Sequence, residues 1–199
     1  MTRHVVIGAL MTIWTTAVFA ETRPQTAEDV IKVFHEALLS AMMADSFNER
    51  LNIVSPVITN SFSIQTISRI SLGRNWRSLS ADQQQSYQAL MNELVSTTYA
   101  ARFNNYDDHR FSINVTEPIA KNRTRVRSEL RTKTETVNLD YQLQATEDGW
   151  RIYDIVANGV SDLSLKRSSY AALFADGGLA AVESDIKASI TGNRNNQAD

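Results

Sequence analysis

The chain has 199 residues, 43% of them hydrophobic, with 20 basic and 22 acidic side chains and a formal net charge of −2. That length suits one domain with a sizeable core, and the charge balance argues against a nucleic-acid surface, which would be strongly basic. The absence of cysteine excludes a disulfide framework and a lipid-modified cysteine, so the core alone must stabilise the fold.

The first twenty residues are predicted to be a secretory signal peptide. Arg3 and His4 form a short basic start, residues 5–19 are apolar and uncharged, and Ala20 offers a small residue for cleavage. The alternative is an N-terminal membrane anchor, but the apolar run is shorter than the roughly 20 residues that span a bilayer. We therefore expect an exported, periplasmic protein with a single domain at 21–191 and a disordered tail at 192–199.

Helical spacing dominates the first half of the mature chain. Thr26 can open a helix with a capping box, and Ser46 can start a second one. Pro56 lacks an amide hydrogen and is expected to break this second helix or to open a new turn. A short apolar stripe then stops at Gly73, a residue suited to a helix C-cap.

The longest helix is predicted to run from Ser80 to about Phe103, because apolar residues repeat there every three and four positions after another capping box. Helical spacing returns after Ser161, with an interruption at Gly177 and Gly178. Helices are thus expected both before and after the central part of the chain.

Between these helices the period changes to two, which predicts four strands joined by short turns. The implied fold is α+β, with a four-stranded antiparallel sheet and helices packed on one of its faces. The predicted inner face of the sheet carries Phe111, Ile113, Val115, Val126, Leu130, Val137, Leu139, Tyr141, Leu143, Trp150 and Ile152.

Candidate catalytic groups are few. His35 and His109 do not have metal-ligand spacing, and neither a nucleophile motif nor a phosphate-binding loop is present, so no metal, no cofactor and no catalytic residue are expected. Asp154 is predicted on the same strand face as Ile152, where a structural contact is favoured over a role as general base. A hydrolase or isomerase using Asp154 or His109 remains as an alternative.

Arginines alternate along one predicted strand, at Arg123, Arg125, Arg127 and Arg131. The favoured interpretation is a solvated outer face on which Lys133, Glu129 and Asp140 make cross-strand pairs. The alternative is a docking surface for an acidic partner or for anionic headgroups.

Three segments resemble one family. They are Phe62 to Trp76, which ends in Leu72-Gly73-Arg74-Asn75-Trp76; Tyr99 to Tyr106, with Tyr99-Ala100-Ala101-Arg102-Phe103; and Trp150 to Ser161, followed by Arg167-Ser168-Ser169-Tyr170. The chain is similar in these segments to the MlaC-type periplasmic lipid-binding proteins, or toluene-tolerance auxiliary components, and closest to their hopanoid-associated HpnM branch. It departs at Ser63, where the family usually has Asp, and in a weaker aliphatic pair near Leu179.

The resemblance implies a non-enzymatic, monomeric carrier whose apolar pocket holds a phospholipid or a hopanoid. It also implies a shuttle between an outer-membrane lipoprotein complex and an inner-membrane ABC transporter with an MCE-domain subunit. A lipid-free adaptor that bridges these complexes is the other alternative.

The apolar faces of the predicted helices and strands give a set of candidate pocket residues. Spacing alone does not separate a lipid cavity from a filled core, so these positions follow from amphipathic faces only. The predicted pocket lining is Phe34, Leu38, Leu72, Met91, Leu94, Val95, Tyr99, Val126, Leu139, Tyr141, Leu143, Trp150 and Ile152.

Overall fold

A computed structural model of the chain describes residues 26–195, so the predicted signal peptide at 1–20 lies outside the described residues. Four helices precede a sheet and one long helix follows it. The first are α1 (Ala27–Met42), α2 (Phe47–Ser61), α3 (Ile64–Leu72) with a 3₁₀ turn (Gly73–Ser78), and α4 (Ala81–Arg102). The sheet consists of β1 (Arg110–Ala120), β2 (Arg123–Arg131), β3 (Thr136–Thr146), β4 (Gly149–Ala157) and β5 (Val160–Ser161), and α5 (Asp162–Asn195) closes the order. The α+β class is confirmed.

Capping boxes open three of the helices. At α1 the Asp29 amide donates to Thr26 Oγ1 at 3.1 Å, and the Thr26 amide donates back to Asp29 Oδ2 at 2.9 Å. Ser46 and Ser80 make the same reciprocal pair at α2 and α4. Each pair satisfies amides that the first helical turn leaves without a partner, and the predicted starts of these helices are confirmed.

Pro56 does not break its helix, so that prediction was wrong. It lies inside α2, on the exposed side, where the missing amide removes one hydrogen bond to the carbonyl of Asn52. Val54 and Ile58 on the opposite side are fully buried. Their burial keeps the helix continuous across the proline.

The sheet has five antiparallel strands in sequential order, not the four that were predicted. The additional strand, β5, has two residues and pairs Val160 with Ala157 after a turn at Asn158 and Gly159. Both turn residues have positive φ, at 48° and 84°. So short a strand has no alternating pattern of its own, which is why sequence spacing did not indicate it.

Two bulges change which side chains face the helices. In β1, Ile113 pairs with Ser128 and Val115 with Arg127, so Asn114 has no paired residue in the β2 register. Val115 therefore turns to the outer face, where it is 42% exposed. The prediction that Val115 faces inward was therefore wrong.

In β4, Leu143 pairs with Ile152 and Gln142 with Asp154, so Tyr153 is the extra residue. The alternation of inward and outward side chains reverses there, and Ile155 pairs with the inward Tyr141. Asp154 pairs with Gln142 while Ile152 pairs with Leu143, so the simple alternation predicted for Ile152 and Asp154 was also wrong.

Two of the four arginines of β2 make cross-strand ion pairs on the outer face, as expected. Arg125 and Arg127 both approach Glu117 of β1, at 3.4 and 2.9 Å, and Asp140 of β3, at 3.9 and 4.0 Å. Arg131 pairs with Glu129 of its own strand at 3.7 Å. Opposite charges on neighbouring strands thus balance this face of the sheet.

The last helix continues further than predicted. It bends at Gly177 and Gly178 and then extends to Asn195, four residues into the segment expected to be a disordered tail. Buried Ile190 and a hydrogen bond from Asn193 Nδ2 to Thr98 Oγ1 of α4, at 3.2 Å, attach this last part to the domain. Residues 196–199 lie outside the described residues.

Candidate functional site

A cavity of about 460 Å³ lies between α4, the inner face of β2–β4 and the start of α5. Its deep wall on the helix side is formed by Met91 and Leu94, which are almost fully buried. Leu139 and Ile155 of the sheet line the opposite wall, and Leu163 of α5 also lines the cavity. The volume falls in the range of small-ligand pockets, about 300–1,000 Å³. An apolar cavity of ligand size therefore lies on this side of the sheet.

The mouth of the cavity is charged and partly apolar. Arg102 of α4, Glu135 of the β2–β3 turn, and Asp162 and Lys166 of α5 all line it. Leu165 also lines it, and is 59% exposed to solvent. The cavity thus combines an apolar interior with an opening that carries both signs of charge.

The thirteen residues predicted to line a pocket occupy different places in the structure. Met91, Leu94, Val95, Tyr99 and Leu139 line the cavity, whereas Leu72 lines a second hollow of about 370 Å³ between the 3₁₀ turn and α5. The others lie outside both hollows, at Phe34, Leu38, Val126, Tyr141, Leu143, Trp150 and Ile152.

An aromatic cluster separates the filled part of the interior from the cavity. Phe34 of α1 contacts Phe62, Tyr99 and Tyr141 edge to face, with ring centroids 5.1, 5.1 and 6.2 Å apart. Edge-to-face pairs at these distances are favourable packing contacts. The rings fill the space on the α1 side, so the residues beyond them meet each other as core.

Tyr99 is a polar group at the border between this cluster and the cavity. Its ring stacks on Phe103 at 5.8 Å, and burial raises the pKa of its hydroxyl above the ordinary value of 10.0. The hydroxyl is therefore a neutral hydrogen-bond donor at physiological pH.

Comparison with known proteins identifies the family. The family model described as MlaC protein matches residues 25–188, most of the chain. The chain belongs to the MlaC family. No curated protein matches the chain.

A solved structure has the same fold. It is a phospholipid-binding protein from Ralstonia solanacearum in complex with a phospholipid, and it superposes with a TM-score of 0.75 at 20% sequence identity. The alignment covers 84% of this chain and 98% of the Ralstonia chain. At that identity the likeness shows a shared fold.

In this MlaC-family chain, Asp154 has a structural contact. Ser161 Oγ donates to its carboxylate, at 2.9 Å from Oδ2 and 3.0 Å from Oδ1, and the same Oγ accepts from the Ser164 amide at the start of α5. Burial raises the pKa of Asp154, and the Ser161 hydrogen bond opposes that shift. Asp154 thus fixes the helix start that carries one wall of the cavity.

His109, the other candidate base, also takes part in a hydrogen bond. His109 lines the mouth, and its Nδ1 accepts from the Asp107 amide at 3.0 Å. Within residues 26–195 no group of three His, Asp or Glu side chains is arranged to hold a metal ion. In that same part of the chain, no helix has both the length and the hydrophobicity needed to cross a bilayer.

Several lining residues were not predicted, each for a local reason. Ile155 was missed because the bulge at Tyr153 reverses the strand alternation. Phe103 lies just beyond the end of α4, and Leu163 follows a strand of only two residues. The other apolar lining residues outside the predicted pocket set are Met42, Phe62, Ile67, Leu130, Val137, Tyr153, Ala157, Val160 and Leu165.

Proposed function

We propose that this protein is a periplasmic lipid carrier that holds acyl chains in the cavity and leaves the headgroup at the charged mouth. The observation that carries the proposal is a hollow, apolar interior in a chain of the MlaC family. The lipid-bound Ralstonia protein of the same fold supports a phospholipid as cargo. A hopanoid is the second candidate, favoured by the resemblance of several motifs to the HpnM branch.

The energetics explain why such a carrier is needed. Each methylene removed from water is worth about 0.8 kcal/mol, so one acyl chain represents roughly 10 kcal/mol. A lipid therefore does not cross the aqueous periplasm alone at a useful rate. A cavity exchanges one apolar environment for another, and release requires a partner that favours the empty state of the carrier.

The cellular setting belongs to the same proposal. The segment 1–20 directs export, and the mature protein acts as a monomer in the periplasm. It receives lipid at one membrane and delivers it at the other, between an outer-membrane lipoprotein complex and an inner-membrane ABC transporter with an MCE-domain subunit. No catalytic step is involved, because the carrier changes only where the lipid is.

The acyl chain is expected to contact the hydrophobic residues of α4 and of the opposing strands. Met91, Leu94 and Val95 form the helix side of this contact surface, and Leu139 and Ile155 form the sheet side. We expect Tyr99 to bind the ester region of a lipid, because a neutral hydroxyl can donate to a carbonyl oxygen.

Lipid extraction tests the proposal. Freshly purified full-length protein is denatured in organic solvent, and the extract is analysed by mass spectrometry against an unrelated periplasmic protein purified in parallel. We expect near-stoichiometric phospholipid or hopanoid in the extract. An extract without lipid would indicate the adaptor, and a turnover product whose formation is lost in Asp154→Asn would indicate the enzyme.

A further inference from the structure

Four charged side chains surround the mouth of the cavity. Arg102 and Lys166 are cationic, and Glu135 and Asp162 are anionic. Among residues 26–195, none of these four has an ion-pair partner within 4 Å, although the outer face of the sheet pairs its charges closely. The Lys166 ammonium lies 5.9 Å from the centroid of the Tyr170 ring.

These charges come from three separate elements. Arg102 lies one helical turn beyond Tyr99 on α4, so both side chains lie on the same side of that helix. Asp162 and Lys166 lie one turn apart on α5, and Glu135 belongs to the turn between β2 and β3. Asp154 also lines the cavity, but its carboxylate already accepts from Ser161. The unpaired charges are thus held around one opening by elements that the fold fixes.

We propose that this mouth recognises a zwitterionic headgroup, a phosphate that carries a tethered ammonium. Arg102 and Lys166 contact the phosphate, and Glu135 and Asp162 contact the amine. This inference rests on the proposed lipid carriage and specifies the class of lipid.

The charge pattern disfavours the other headgroup classes. A headgroup with negative charge alone meets repulsion from Glu135 and Asp162, while a neutral lipid leaves all four charges without a partner. A hopanoid hydrocarbon skeleton likewise offers these four charges no polar partner. A phosphate next to an amine satisfies both signs at once, and guanidinium groups suit phosphate geometry well.

Lipid exchange from vesicles tests this specificity. Delipidated full-length protein is incubated with vesicles that contain equal amounts of dioleoyl phosphatidylethanolamine, dioleoyl phosphatidylglycerol and dioleoylglycerol, and bound lipid is quantified by mass spectrometry. We expect the phosphatidylethanolamine to exceed each of the others by about two- to fivefold, the range for partly exposed ion pairs. Equal loading of all three lipids would overturn the inference and leave lipid carriage intact, whereas no loading of any would contradict the carrier itself.

Charge variants separate the two halves of the site. Arg102→Gln should lower the loading of both phospholipids relative to dioleoylglycerol. Glu135→Gln combined with Asp162→Asn should lower phosphatidylethanolamine and raise phosphatidylglycerol. Arg69→Gln, an exposed arginine on α3 that lines neither hollow, is the matched control and should load like the unmodified protein. Unchanged ratios in both mouth variants would refute the assignment.

Discussion

His35 is a buried polar side chain that belongs to the filled core instead of the cavity. It is 5% exposed, its ring stacks on Phe111 at 4.1 Å, and Nε2 lies 3.0 Å from the Tyr141 hydroxyl. Burial lowers its pKa from 6.5 to about 4. The imidazole is therefore neutral at physiological pH and joins α1 to the sheet through one hydrogen bond.

This shift predicts a pH dependence of stability. Between pH 6.5 and 4 the unfolded chain binds a proton at His35 that the folded chain does not, so stability is full above pH 6.5 and falls as the pH drops. Between pH 7.5 and 5 the loss should be about 2 kcal/mol. This loss is measured by urea unfolding of the unmodified protein and of His35→Gln at both pH values.

Glutamine keeps hydrogen-bonding groups toward Tyr141 but does not titrate. The variant should therefore lose less stability than the unmodified protein over the same pH interval, whatever its stability at pH 7.5. If both proteins lost the same amount, protonation of His35 would not be the cause.

At the scale of elements, two glycines bend α5 so that both of its halves pack. Gly178 has φ 64° and ψ −156°, a conformation that is essentially restricted to glycine. The bend places Tyr170 on one side and Val182 and Ile186 on the other into the same core. A straight helix of this length would leave one of these halves unpacked.

Gly178→Ala should destabilise the protein by about 1–3 kcal/mol through backbone strain alone, because an added Cβ meets no atom within 4 Å. Gly192→Ala is the control within the same helix. It has regular helical geometry and open space, so alanine should stabilise by about 0.5–1 kcal/mol. Thermal unfolding of both variants measures these stability changes. A Gly178→Ala variant as stable as the unmodified protein would contradict the strain argument.

The elements differ in how well sequence spacing predicts them. Capping boxes and long apolar stripes located α1, α2 and α4, because those signals are local. Strand faces were less predictable, since the unpaired residues at Asn114 and Tyr153 reverse the alternation without any signal in composition. The misplacement of Val115 and Asp154 follows directly from these two bulges.

At the scale of the whole molecule, the division between core and cavity was the least predictable feature. Phe34 and Met91 are both fully buried and lie on the inner sides of their helices, yet only Met91 lines the cavity. The difference depends on the rings of Phe62, Tyr99 and Tyr141, which fill the space around Phe34. Such long-range packing is not encoded in the spacing of either helix.

The central claim is that a lipid occupies the space beside Met91. Native mass spectrometry of the purified protein and of Met91→Trp tests it most directly, with Val95→Trp as a second filling variant at a half-buried lining position. Val33→Trp adds the same indole at a position that is 41% exposed and does not line the cavity. Circular dichroism verifies that each variant is folded.

We expect a lipid adduct on the unmodified protein and on Val33→Trp, and a strongly reduced adduct on folded Met91→Trp and Val95→Trp, because the indole takes the volume that the acyl chain needs. Equal lipid occupancy in all four proteins would contradict the claim.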